Sequence, residues 1–174
     1  MSNSTINLKR KNNETKIQSS LQTNGKFNFS QIKKISSLFG LNINNLKDIN
    51  GTANLKTNIN FNLDKKFKVK NLSYFTEGNI ANFEIHTQES RIIKQYLPEY
   101  DPKIILKDVN IKHNNSKSDH TSELSGFIKV NDNFDSFKIK EIYDYNKKIF
   151  NINGVVDLTN SKVKISRLNY NKVH

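Results

Sequence analysis

The stretch Ile49-Asn-Gly-Thr-Ala-Asn-Leu-Lys-Thr-Asn-Ile-Asn-Phe-Asn-Leu-Asp64 alternates from end to end. Ile49, Gly51, Ala53, Leu55, Thr57, Ile59, Phe61 and Leu63 are apolar, small or β-branched, and every residue between them is polar. Strand side chains point to opposite faces with a period of two. The pattern therefore predicts one ribbon with an oily face and a wet face. At ~3.4 Å per residue the run extends about 50 Å, well beyond a typical strand of roughly 5–6 residues. The apolar face of an extended sheet is accordingly the place to look for function.

Working outward, turn signals separate further β-rich runs: Asp64-Lys65-Lys66, Glu77-Gly78-Asn79, Asn114 to Asp119, Asn131-Asp132-Asn133, Asn146-Lys147-Lys148 and Thr159-Asn160-Ser161. Asn and Asp suit such points because they tolerate left-handed backbone and bond their own main chain. Regular short strands between turn signals predict an antiparallel meander. Phe67 and Val69 lead into Leu72 and Tyr74, with a phase shift at Asn71 that predicts a bulge. Two segments break the strand rhythm. Ile32, Ile35, Leu38 and Phe39 form a helical stripe over 30–39, with Ser30 as N-cap and Gly40 as stop. A second short helix is expected over 90–97, closed by Pro98 and Pro102. A weak repeat of Gly, strand, turn and return strand ending in Tyr starts near Gly51, Gly126 and Gly154, one hairpin per unit.

Composition narrows the function classes. The 174 residues carry 28 Lys+Arg against 16 Asp+Glu, a net charge of +12 that favours anionic partners. Asn and Lys are over-used in the manner of an AT-rich genome. With no cysteine there is neither a disulfide framework nor a thiolate metal site. No apolar run approaches the ~20 residues of a membrane-spanning helix, and the first residues lack a signal-peptide core. A chain acting outside the cytoplasm would then owe its targeting to a segment upstream of Met1.

The segment from Lys26 to Gly40, followed by Ile49-Asn-Gly51 to Ile59, resembles the AsmA/TamB superfamily, particularly its YhdP-type members. There a strand meets a short amphipathic helix, and a Gly-led alternating strand then opens a long meander. Phe150 to Leu158 and Ile165 to Tyr170 look like that family's repeat. The resemblance covers roughly Gly25 to Tyr170 and implies a module at 25–174 preceded by an edge region at 1–24. It also implies a bacterial periplasmic protein, anchored in the inner membrane through a segment absent from this chain. Such proteins carry lipid acyl chains on the apolar face of a curled sheet, in lipid transport or outer-membrane assembly. No catalytic residue or cofactor is implied, and the same sheet is expected to continue in a longer chain.

On this reading the groove-facing residues are Leu55, Ile59, Phe61, Phe67, Val69, Ile105, Val109, Ile111, Ile128 and Ile152. Lys65, Lys66, Lys147 and Lys148, on turns, are the expected contacts for anionic head groups. The bland alternative for the apolar stripe is the inner face of a β-sandwich, an interaction or adhesion module with a closed core. A closed eight-stranded barrel is a third architecture, opposed by Lys107 in the inward phase of Ile105, Val109 and Ile111. His113 and His120, in or beside a polar loop with Asp119, match no compact metal motif and read as solvated. Glu99 and Asp101 flank the proline turn and read as solubilising acids. His86 and His174 fit no motif either. No phosphate loop or nucleophile triad occurs. The lysines do not cluster with stacking aromatics, which argues against nucleic acid.

Overall fold

The structure is a computed structural model that describes residues 4–11, 14–38, 43–96, 101–130, 132–165 and 168–172. Eight strands form one antiparallel sheet in strict sequence order: β1 (Thr5–Lys11), β2 (Glu14–Asn28), β3 (Leu46–Leu63), β4 (Val69–Thr87), β5 (Lys103–Asn115), β6 (Asp119–Val130), β7 (Asn133–Asp144) and β8 (Ile149–Val156). The sheet is open, so it is neither a barrel nor, among the described residues, half of a sandwich. A separate two-stranded hairpin, β9 (Val163–Ile165) with β10 (Tyr170–Lys172), follows. The repeat thus holds for hairpins β3–β4 and β6–β7. It fails in its third unit, because among the described residues β8 pairs with β7 alone and β9 leaves the sheet. β2 crosses the expected division between residues 24 and 25, so the first strands belong to the same sheet.

The helices sit at one end of the sheet. α1 (Phe29–Leu38) begins with a reciprocal capping box: Asn28 Oδ1 accepts from Gln31 N at 3.1 Å, and Gln31 Oε1 accepts from Asn28 N at 3.0 Å. Asn28, not Ser30, is therefore the N-cap. α2 (Arg91–Tyr96) is capped by Ser90, whose Oγ accepts from Ile93 N. Phe39, Gly40, Leu97, Pro98 and Glu99 lie outside the described residues.

β3 spans 18 residues and β4 19. The expected turn at Glu77-Gly78-Asn79 does not exist. Gly78 lies in mid-strand between Leu55 of β3 and Ile111 of β5. Its glycine serves a close approach instead: a Cβ there would lie 2.1 Å from the Asn54 carbonyl oxygen, and φ is +150°. The bulge expected near Asn71 is present, with φ +57° and a register shift opposite Asn60 and Asn62. A second bulge, at Asp108 (φ +50°), was not signalled. The strand tucks there against Gly126, where a Cβ would meet Lys107 O and Val109 Cα at 3.0 Å.

That second bulge reverses the phase of β5. Val109 and Ile111 keep to one face, while Leu106, not Ile105, packs against the core beside Phe83 and Ile128. Ile105 is paired with Glu84 instead. Lys107 shares its phase and so leaves the apolar face, which removes the objection to closure it had supplied; the open register settles that question directly.

One face of the sheet carries the core. Ala53, Ile80, Val109 and Phe137 form its buried centre, with Phe27, Leu55, Phe83, Leu106, Leu124, Ile128 and Ile139 packed around it. On the opposite face the pairings bring Lys56, Glu77, Lys112, Glu123 and Lys140 into one cross-strand row of alternating sign. Opposite charges directly across a ladder favour that register over a slipped one, and Lys140 Nζ reaches Glu123 Oε1 at 2.8 Å.

Candidate functional site

The apolar face divides into two zones. Toward the helix end lies the hydrophobic patch around Val109, which is fully buried and forms its floor. Leu55, Ile111 and Ile128 surround it, half-buried. The stripe extends along β2 and β3 through Ile17 and Leu21, which pair with Phe61 and Thr57, and through Ile59. Of the residues expected in the groove, Leu55, Ile59, Phe61, Val109, Ile111 and Ile128 share this face by register. Ile152 shares it as well, but on edge strand β8, where it is 61 % exposed. Ile105 lies on the other face, for the reason given above. Val69 begins β4 at the hairpin tip and is exposed.

Phe67 is not on a strand. It occupies the β3–β4 turn with φ +57° and is 82 % exposed. Asp64 holds this turn closed: its Oδ1 accepts from Lys66 N at 2.8 Å and Lys68 N at 3.0 Å, and its carbonyl accepts from Phe67 N. The bonds to the carboxylate, chiefly that from Lys68 N, hold the Asp64 carboxyl below its ordinary range.

Toward the turn end the same face becomes polar and aromatic. Tyr74, His113, His120, Tyr143 and Tyr145 form a row of rings with centroid spacings of 5.3 to 5.8 Å. His113 contacts Ser122 Oγ through Nδ1 at 2.9 Å and the Tyr74 hydroxyl through Nε2 at 3.4 Å. His120 contacts the Tyr145 hydroxyl at 3.2 Å and Glu141 Oε1 at 2.9 Å. Tyr145 in turn donates to Asn115 Oδ1 at 2.7 Å. Burial, and then the neighbouring His120, push the His113 pKa down. Burial raises that of Tyr145.

The two histidines are therefore strand residues on β5 and β6, beside the loop and not in it, and hydrogen-bonded to side chains where solvation was expected. Apart from Tyr143 and Tyr145, two residues apart, the members of this row meet only across strands, so it is not legible in the sequence. The one local hint is that His113, Tyr143 and Tyr145 each continue the period-two phase of an apolar strand. No group of three metal-ligating side chains comes together among the described residues. Each ring nitrogen already has a partner, so the row reads as a hydrogen-bonded polar border to the apolar patch. Asp101 caps the start of β5 by accepting from Lys103 N at 2.8 Å, and His86 lies 2.8 Å from Glu84. Both are structural contacts.

The odd-to-even turns β3–β4, β5–β6 and β7–β8 all fall at the end bordered by the ring row. This brings Lys65 and Lys66 to the same rim as Lys147 and Lys148, with Lys117 between them. Lys147 lies 3.8 Å from Asp144 and remains largely exposed. The four lysines thus line one edge of the sheet, beyond the polar border of the apolar face. At the sides, β1 ends in Lys9, Arg10 and Lys11, charges that discourage pairing by further strands. β8 contains no charged residue and is exposed throughout. No protein-family model, curated protein or solved structure matches the chain.

Proposed function

We propose that this chain is a non-enzymatic segment of a bacterial envelope protein of AsmA/TamB type, shielding lipid acyl chains on the apolar face of its sheet. In this role it contributes to lipid transport between membranes or to outer-membrane assembly in the periplasm, with an inner-membrane anchor outside this chain. The observation that carries the reading is the sheet's single layer. A compact protein of 20.2 kDa exposes about 8,800 Å², whereas this chain exposes 12753 Å². Among the described residues only Ile49, Ala53, Ile80, Val109 and Phe137 are buried hydrophobics. Among the described residues no second sheet covers the remaining apolar side chains of that face, and a hydrocarbon chain has the right chemistry to do so.

The zoning of the face supports the same reading. Acyl chains lie against Leu55, Ile59, Phe61, Ile111 and Ile128. The tyrosine–histidine border suits the polarity change at a lipid's neck, because such side chains join an apolar body to a polar tip. Lys65, Lys66, Lys147 and Lys148 meet anionic head groups at the rim, each worth about 1 kcal/mol near a charged surface. The uncharged edge of β8 suits continuation of the same sheet by further strands. A photocrosslinker at Ile59 should trap phospholipid in cells. Adducts no more frequent than from Asn58, on the opposite face of β3, would reject the proposal.

A further inference from the structure

We propose that the β3–β4 hairpin tip is a membrane anchor, with Phe67 inserted among the acyl chains of an anionic bilayer and the surrounding lysines bound to its phosphates. The inference rests on the reading of the chain as a lipid-contacting sheet and assigns the point at which it docks.

Three observations carry it. Phe67 has the highest exposure of the large hydrophobics among the described residues, 82 %, at the extreme end of the two longest strands. It also holds a left-handed backbone, φ +57°, which is unfavourable for a bulky aromatic. A turn selected for stability alone would place Gly or Asn there. The strain is maintained by the Asp64 hydrogen bonds to Lys66 N and Lys68 N and by Phe67 N itself donating to Asp64 O, so the ring is presented on a rigid support. Finally, Lys65, Lys66, Lys68 and Lys70 flank it in sequence, all exposed; Lys70 lies 3.4 Å from Asp64, the acid at the tip, and Lys65, Lys66 and Lys68 are the cations offered to a partner. An exposed ring flanked by cations is complementary to a surface whose outside is anionic and whose inside is hydrocarbon. A protein groove could accept the ring, but it would not call for three lysines around it.

The chain contains no tryptophan, so Phe67→Trp introduces a single fluorescent reporter at the tip. Its emission should shift to the blue on equimolar phosphatidylcholine–phosphatidylglycerol vesicles and be quenched by brominated acyl chains in them. The shift should be lost in high salt. It should also be lost when Lys65, Lys66 and Lys68 become Gln. Phe67→Gly should weaken binding to the same vesicles about 10- to 100-fold, the worth of burying a phenylalanine. The same change should leave the melting temperature equal or higher, because it relieves the left-handed strain. A merely structural role predicts the reverse pair of results. No blue shift on these vesicles, or full binding by Phe67→Gly, would overturn the inference. Lipid adducts from Ile59 would then still stand, so failure of the tip and failure of the groove are separable.

Discussion

Replacing Gly78 by alanine tests the reading of β4 as one uninterrupted strand. The added methyl would sit 2.1 Å from Asn54 O, 2.9 Å from Leu55 Cα and 3.0 Å from Asn54 C, all backbone atoms of β3 that cannot rotate away. The residue must also keep a φ of +150° that L side chains rarely adopt. Holding such a conformation costs about 1–3 kcal/mol. Parting β3 from β4 locally weakens one or two ladder hydrogen bonds, at about 1 kcal/mol each. Together these come to roughly 2–5 kcal/mol, or a fall in melting temperature of roughly 4–20 °C for a chain of this size. Urea unfolding followed by far-ultraviolet circular dichroism measures it. Gly154→Ala is the control, since its nearest neighbour would be Ile139 Cγ1 at an ordinary 3.5 Å, and it should stay within about 0.5 kcal/mol of the parent. If Gly78→Ala were equally silent, residues 77–79 would be a tolerant turn and the β3–β4–β5 register would be wrong.

His113 has its pKa lowered in the folded state, so the folded chain binds fewer protons there than the unfolded chain. Its contribution to stability is complete above about pH 6.5 and is lost as pH falls through the folded value; His113→Gln should flatten the stability profile just below pH 6.5. Phe137, 7 % exposed at the centre of the core, should cost about 3–5 kcal/mol as alanine. Phe150→Ala on the edge strand, 55 % exposed, should cost less than about 1 kcal/mol on chemical denaturation. In small-angle scattering, a sheet about 60 Å by 35 Å has a radius of gyration of about 19–20 Å, against ~16 Å for a compact chain of this length.

Legibility of the fold followed the range of the interactions. The alternation of β3, the phase shift at Asn71 and the turns at Asp64 and Asn146 are written in neighbouring residues, and these stand. Gly78 was misread because a strand glycine next to Asn resembles a turn until the adjacent strand's carbonyl is in place. The bulge at Asp108 was hidden for a similar reason: it depends on Gly126, which lies on the next strand. It carried Ile105 to the wrong face. Phe67 looked like a strand residue because it precedes Val69, yet Asp64 closes the chain around it. The same limit applies to the candidate site. Its apolar half follows from period two, whereas Tyr74 meets His113 across 39 residues and His120 meets Glu141 across 21. The alternating row from Lys56 to Lys140 likewise exists only once five strands are in register.

The proposed function requires that one face of this sheet, and not the other, accept acyl chains. Methyl-resolved NMR with a doxyl-labelled fatty acid reports on it residue by residue. The spin label should broaden the methyls of Leu55, Ile59, Ile111 and Ile128 while sparing Ile105 and Ile142 on the opposite face. Equal broadening of both sets, or none at either, would contradict it.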